Sequence, residues 1–278
     1  MGTSRSSPGA PPGVPMVPPW VPPAVPPDSP APAPPDPAAP PQPAPAAPAP
    51  AVPMAPAGRF GPARTSLGRF AGSGSRSDMQ RGLGHYVHKG MGGSRMAARR
   101  LGSAARTASV LHGALSAIAA GQPAVAGTPI DPAVLRGRTA DEIMNAVVEA
   151  VRPVDGTQDA EADRNAIKDA LSQLLDQFPN ADLLNLDDDQ RGFVVERFVA
   201  VDIFNRIYLD VGKAVQDKAP TSAVALSRLR AIKDYVRETV ASVFRRILAA
   251  GATLTARRTA AIVNQTIQET FQVFEGFL

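Results

Sequence analysis

The chain has no cysteine, which excludes disulfides, thiolate nucleophiles and cysteine-ligated zinc or iron–sulfur centres. That absence fits a reducing cytoplasm, the compartment we expect. Aromatic residues make up only 5% of 278, with one tryptophan and three tyrosines. Histidine occurs three times, at His85, His88 and His112. The one pair at i, i+3 lacks the third ligand or carboxylate that a metal centre needs. Long apolar runs are missing too. The longest stretch free of Asp, Glu, Lys and Arg, Thr107–Ile130, holds His112, Gln122, Pro123, Pro129 and many small side chains, so no membrane span is expected. Arg5 is followed by proline-rich sequence where a secretory leader would place an apolar h-region. Nowhere do apolar and polar residues alternate as a strand requires.

Proline is abundant instead, and it is concentrated: 24 of the 30 prolines lie between Pro8 and Pro62. Proline and alanine supply too little apolar surface there to offset the entropy of ordering. Residues 1–62 are therefore expected to be a disordered Pro/Ala-rich arm, locally polyproline II, rising about 3.1 Å per residue. Trp20, inside Val17-Pro-Pro-Trp20-Val-Pro-Pro, has no core to fill in such an arm and reads as a binding anchor. Charge is also segregated. Residues 1–121 hold 11 Lys/Arg against three acids, and residues 122–278 hold 18 against 22.

The basic excess sits in Arg59–Arg106, which carries ten basic residues and one acid, Asp78. A turn over 64–70, a Gly/Ser break at 71–75, a short helix capped by Ser77 and a second capped by Ser94 make residues 63–121 a docking segment. Its apolar positions are thin and its helices contain glycine, each costing about 1 kcal/mol relative to alanine. We expect such a segment to order on a partner. The candidate contacts are Phe70 and Tyr86 with Arg69, Arg81, His85, Arg95, Arg99 and Arg100. Aromatics interleaved with arginine suit a nucleic-acid backbone. They equally suit an acidic protein surface, the acidic C-terminal half of this chain included.

Residues 122–278 read as a helical bundle. Thr139-Ala-Asp-Glu142 is a capping box, with Ile143, Val147, Val148 and Val151 on the face behind it. Ile167, Leu171, Leu174 and Phe178 line a second helix. Asp187 caps a third, whose apolar positions Val194, Phe198, Val201, Phe204, Tyr208, Val211 and Val215 run to Pro220. Leu229, Ile232, Val236, Val240, Val243 and Ile247 mark a fourth helix, and Val263, Ile267, Phe271, Phe274 and Leu278 a fifth. The fold class is all-α, an antiparallel helical bundle behind a long disordered Pro-rich N-terminal arm.

No catalytic residue, cofactor motif or metal site emerges. Asp182, Asp187, Asp188 and Asp189 lack the alternating ligands, central glycine and distal glutamate of a calcium loop. Acids in a first helical turn answer the helix dipole without an ion. Gly82-Leu-Gly84 and Gly90-Met-Gly92-Gly93 follow no strand and lack the P-loop lysine. At the other end, Met1 precedes a tiny residue, so an aminopeptidase should leave Gly2 with a free, unhindered amine. Such an amine is partly neutral near its reference pKa of roughly 7.7–8.0. Met1-Gly2-x-x-x-Ser6 also matches the myristoylation pattern, although a bacterial host would supply no transferase. The chain reads as a substrate or partner rather than an enzyme.

Met1-Gly2-Thr3-Ser4, the Pro-Pro-Trp20 arm, Leu67-Gly-Arg-Phe70-Ala-Gly-Ser-Gly, Gly84-His-Tyr86 and Gly92-Gly-Ser-Arg95 together resemble the QatB family over roughly residues 1–106. QatB is the component without assigned catalytic activity in the four-protein Qat antiphage defence system of bacteria. The resemblance implies three partners: an ATPase, a QueC-like enzyme acting on 7-deazapurine precursors, and a TatD-like nuclease. QueC-like enzymes pass an activated deazaguanine carboxylate to an amine, and in related defence systems a protein N-terminus is an acceptor. Carried onto this chain, that role falls on Gly2. The competing reading is a nucleic-acid-binding adaptor that grips DNA through residues 59–106.

Overall fold

Thr139 Oγ1 accepts from Glu142 N at 3.3 Å while the Glu142 carboxylate accepts from Thr139 N at 2.9 Å, and the helix that follows is α6 (Ala140–Val151). Asp187 and Gln190 exchange the same pair of bonds, at 2.8 and 3.0 Å, to start α8 (Asp188–Lys218). Thr157 and Thr221 cap α7 (Gln158–Gln177) and α9 (Ser222–Ala249), and α10 (Thr259–Glu275) closes the chain. Ahead of these stand α1 (Gly61–Ser73), α2 (Arg76–His85), a π-helical turn Tyr86–Met91, α3 (Ser94–Arg100), α4 (Gly102–Ala119) and the single turn α5 (Pro132–Leu135). The computed structural model describes residues 54–123, 130–255 and 257–278. Every regular element among them is helical, so the fold is all-α.

The 31-residue α8 is the spine. It packs along α9, to which only residues 219–221 connect it, and also along α7, α1 and α4. Being covered on several sides, it buries Val195, Val199, Ile203 and Ile207 as well as Val194, Phe198, Val201, Val211 and Val215. A single stripe through Phe204 and Tyr208 does not describe it: Phe204 is half-buried and Tyr208 is 39% exposed. The Tyr208 ring lies instead over Gly212, where an added Cβ would stand 2.6 Å from it, and its hydroxyl accepts from Gln216 Nε2 at 3.0 Å. The inner positions of α6, α7 and α10 follow the sequence pattern, save for a half-buried Phe178 and an exposed Leu278 beyond the last helix. On α9 the pattern also holds, with Leu229 only partly buried.

The basic helices share this core rather than standing apart from it. One buried apolar cluster runs from Phe60, Leu67 and Phe70 through Leu83, Tyr86, Leu111 and Leu115 to Phe198, Val240 and Phe274. The boundary at 121/122 is one of charge, and the core passes across it. The limit at 62 falls inside α1, and Ala55 and Phe60 are already buried before that helix begins. Local departures have plain causes. Ser75, not Ser77, caps α2, and α1 continues through the expected Gly/Ser break to end on Gly74 at φ +75°. The helix expected from Ser94 to Gly121 is divided at Leu101.

Glycine is what allows this packing. A Cβ at Gly82 would stand 2.6 Å from Leu67 Cγ, and one at Gly90 would stand 2.4 Å from the Phe60 ring. Two glycines read in sequence as helix-weakening, Gly82 and Gly90, are thus places of close approach, between α2 and α1 and between the π turn and Phe60.

Candidate functional site

The π-helical turn directs Tyr86 inward, where it is fully buried and donates its hydroxyl to Asp210 Oδ2 of α8 at 2.9 Å. Phe60 stacks on the Tyr86 ring with centroids 5.5 Å apart, and the Arg59 guanidinium lies 4.8 Å from the Phe60 centroid. Arg64 donates to the Asp210 carbonyl at 2.9 Å. Burial pushes the Asp210 carboxyl above its ordinary range, against the opposing pull of the Tyr86 hydrogen bond and of Arg206, Arg100 and Arg59. Burial, then the Asp210 charge, holds the Tyr86 phenol well above its usual value. Tyr86 is thus a neutral donor at physiological pH and no nucleophile. Arg100 is lowered by burial and next by Arg59. Three guanidinium groups gather about one carboxylate and one phenol, forming a clasp between the basic segment and the spine.

The outer face carries a second arrangement. His85 is half-buried, its Nδ1 enclosed without a partner. Its pKa is lowered by burial first, then by Arg81, His88, Lys89 and Arg69, side chains that lie near it. Arg69 Nε pairs with Asp78 at 3.3 Å. His88 Nδ1 lies 3.2 Å from Glu275 Oε1, while Glu275 Oε2 accepts from Ser94 N, also at 3.2 Å. Glu275, at the end of α10, therefore caps the start of α3 from across the fold. Burial works upward on its carboxyl, but the bonds from His88 and Ser94 outweigh it and the net shift is downward.

The residues singled out in sequence thus divide. Arg69, Arg81 and His85 share the cationic outer face. Tyr86 and Arg100 belong to the buried clasp, and Arg100 Nη1 is enclosed without a partner. Phe70 is 3% exposed in the core beneath Arg228, whose guanidinium lies 5.5 Å from its ring. As structural side chains, Phe70 and Tyr86 present no surface to a partner. Arg95 is exposed on α3 and Arg99 half-buried. Gly2 and Trp20 lie outside the described residues. Sequence reasoning missed Asp210, Arg206 and Glu275. An i, i+4 spacing of Arg206 and Asp210 was the one local signal, and nothing local joins either to Tyr86.

Among the described residues no three of His, Asp or Glu gather in a way that could hold a metal ion, and no helix is long and apolar enough to cross a membrane. Fold and site together define an all-α protein in which a cationic N-terminal helical layer is clasped onto a long-helix bundle. Over residues 92–274 the chain matches the family described as Qat anti-phage system associated protein QatB, and it belongs to that family. The match covers α3 and nearly all that follows, so it overlaps the N-terminal resemblance only at residues 92–106 and rests mainly on the bundle. No curated protein and no solved structure is matched by the chain. Family membership makes this a component of the Qat antiphage defence system, with other Qat components as its partners.

Proposed function

We propose that this chain is the non-catalytic substrate and scaffold of its defence complex, and that a QueC-like partner modifies its N-terminal glycine. Membership in the family carries the proposal, together with one feature of the chain. An unhindered Met1-Gly2-Thr3-Ser4 start precedes a stretch holding 24 of the 30 prolines, and a helical body follows. A spacer of that composition is expected to keep the amine clear of the body, and the body provides docking surface for the QueC-like enzyme, the ATPase and the TatD-like nuclease. The exposed cations around His85 are the docking face most accessible to an acidic partner surface. Mass spectrometry of the N-terminal peptide, from protein made beside its native neighbours, tests the reading. An adduct on Gly2 supports it. An unmodified Gly2 in the presence of active partner enzyme overturns it.

The cluster of Arg69, Arg81, His85, His88 and Lys89 also favours a second reading, a nucleic-acid-binding adaptor. Binding to duplex DNA that weakens steeply with salt, and that falls when Arg81 is replaced by Glu, would support this alternative. Failure of the first test would leave the second independent of it.

A further inference from the structure

Away from the clasp, where the first turns of α8 meet the end of α9 and the loop beyond it, the surface opens into a cleft of about 350 Å³. That size falls in the lower part of the roughly 300–1,000 Å³ range of small-molecule sites. Three phenylalanines line it. Phe178 and Phe193 meet edge to face with centroids 5.5 Å apart, and the buried Phe244 lies beside them in the lining. Two polar side chains that line it are almost wholly buried, Glu196 at 6% exposure and His112 at 5%.

Neither is fully satisfied by the protein. His112 Nδ1 is enclosed without a hydrogen-bond partner. The Glu196 carboxylate has Arg197 Nη1 at 3.7 Å, longer than a hydrogen bond. Two cations act on it, its ion-pair partner Arg197 and Arg245, and each has a further contact. Arg197 lies 4.6 Å from the Phe193 centroid, and Arg245 Nε donates to the Ala241 carbonyl at 3.1 Å. A desolvated carboxylate short of donors is costly, and a bound cation with N–H groups removes that cost. The lining also holds exposed Asp188, which pairs with Arg191, exposed Asp189, and Arg245, so carboxylates outnumber guanidiniums in it and favour a cation over an anion.

We propose that this cleft binds a small planar cation, an aromatic amidine or amine, with its ring among Phe178, Phe193 and Phe244 and its N–H groups reaching Glu196 and His112. The aromatic walls select a flat ring over a flexible alkyl chain, and the carboxylate selects positive charge over an isosteric neutral or anion. The inference does not depend on any modification of Gly2.

Benzamidine, benzamide and benzoate, titrated separately into the ¹⁵N-labelled full chain, test it by amide chemical shifts. Benzamidine should shift Gly192, Phe193, Glu196 and residues 248–254 saturably, with benzamide and benzoate at least about tenfold weaker. Glu196→Gln should weaken benzamidine by about tenfold or more while the helical circular dichroism is kept. Should that variant lose its fold, the three-ligand comparison on the unaltered chain decides alone. No saturable shift at those residues, equal response to benzoate, or indifference of a folded Glu196→Gln variant overturns the proposal.

Discussion

Tyr86 shows how much a single side chain carries in this fold. Its hydroxyl is the donor to Asp210, so Tyr86→Phe keeps the ring packing on Phe60 but leaves a buried carboxylate one hydrogen bond short. We predict a loss of about 1–3 kcal/mol in urea unfolding, most of it absent when Asp210 is already Asn. A loss below a few tenths would show that the clasp is held by arginine alone. His112 gives a pH dependence of definite sign. Burial lowers its pKa, Arg191 adds to that, and Asp188 opposes. The unfolded chain therefore takes up a proton near pH 6.5 that the folded chain refuses, so this group's contribution falls as pH drops below about 6.5. His112→Gln should flatten the slope of stability between about pH 7 and 5. The upward-shifted Asp210 and Glu196 contribute a slope of opposite sign, present in both proteins, and cancel in the comparison.

Helices that open on a side-chain cap or keep a wide apolar stripe are legible in the amino-acid sequence itself: α6, α9 and α10 lie where Thr139, Thr221 and the Val263–Phe274 repeat put them. Helices of the basic layer are legible as helices too, and Leu83, Tyr86, Leu111 and Leu115 are buried in them. What does not show in the sequence is how closely they approach their neighbours at glycine. The same glycine can thus be a defect in one place and a contact in another, and this is testable. Gly82→Ala places a methyl 2.6 Å from Leu67 and should destabilise by about 1–3 kcal/mol in spite of its better helix propensity. Gly113→Ala, in α4 with nothing within 4 Å, should stabilise by about 0.5–1 kcal/mol. Equal effects at the two sites would mean that Gly82 makes no close approach. Tertiary partners are equally hidden: Tyr86 and Asp210 are 124 residues apart, and no local pattern joins them.

At the scale of the whole molecule, charge divides the chain at a place where the apolar core does not. A basic segment ahead of an acidic half looks like a detachable docking module, yet opposite charge is also what joins two layers of one body. Arg59, Arg64, Arg100 and the His88–Glu275 pair face α8 and α10, the helices of the other half. A fragment limited to residues 122–278 would uncover the sides of α8 and α10 on which α1, α3 and α4 lie. The aromatic cleft was illegible for a related reason: its lining comes from α4, α8, α9, the residue after α7 and the loop after α9, and no two of these announce it alone.

Native-state amide hydrogen exchange on the full chain tests most directly whether the basic layer is integral to the fold. The buried amides of Leu67, Leu83 and Leu111 should exchange with the same free energy and the same denaturant dependence as those of Val199 and Val240, because all five open only when the shared core does. Exchange of α1, α2 and α4 at far lower free energy than α8 and α9 would contradict a single core and restore the basic segment as a separable docking element.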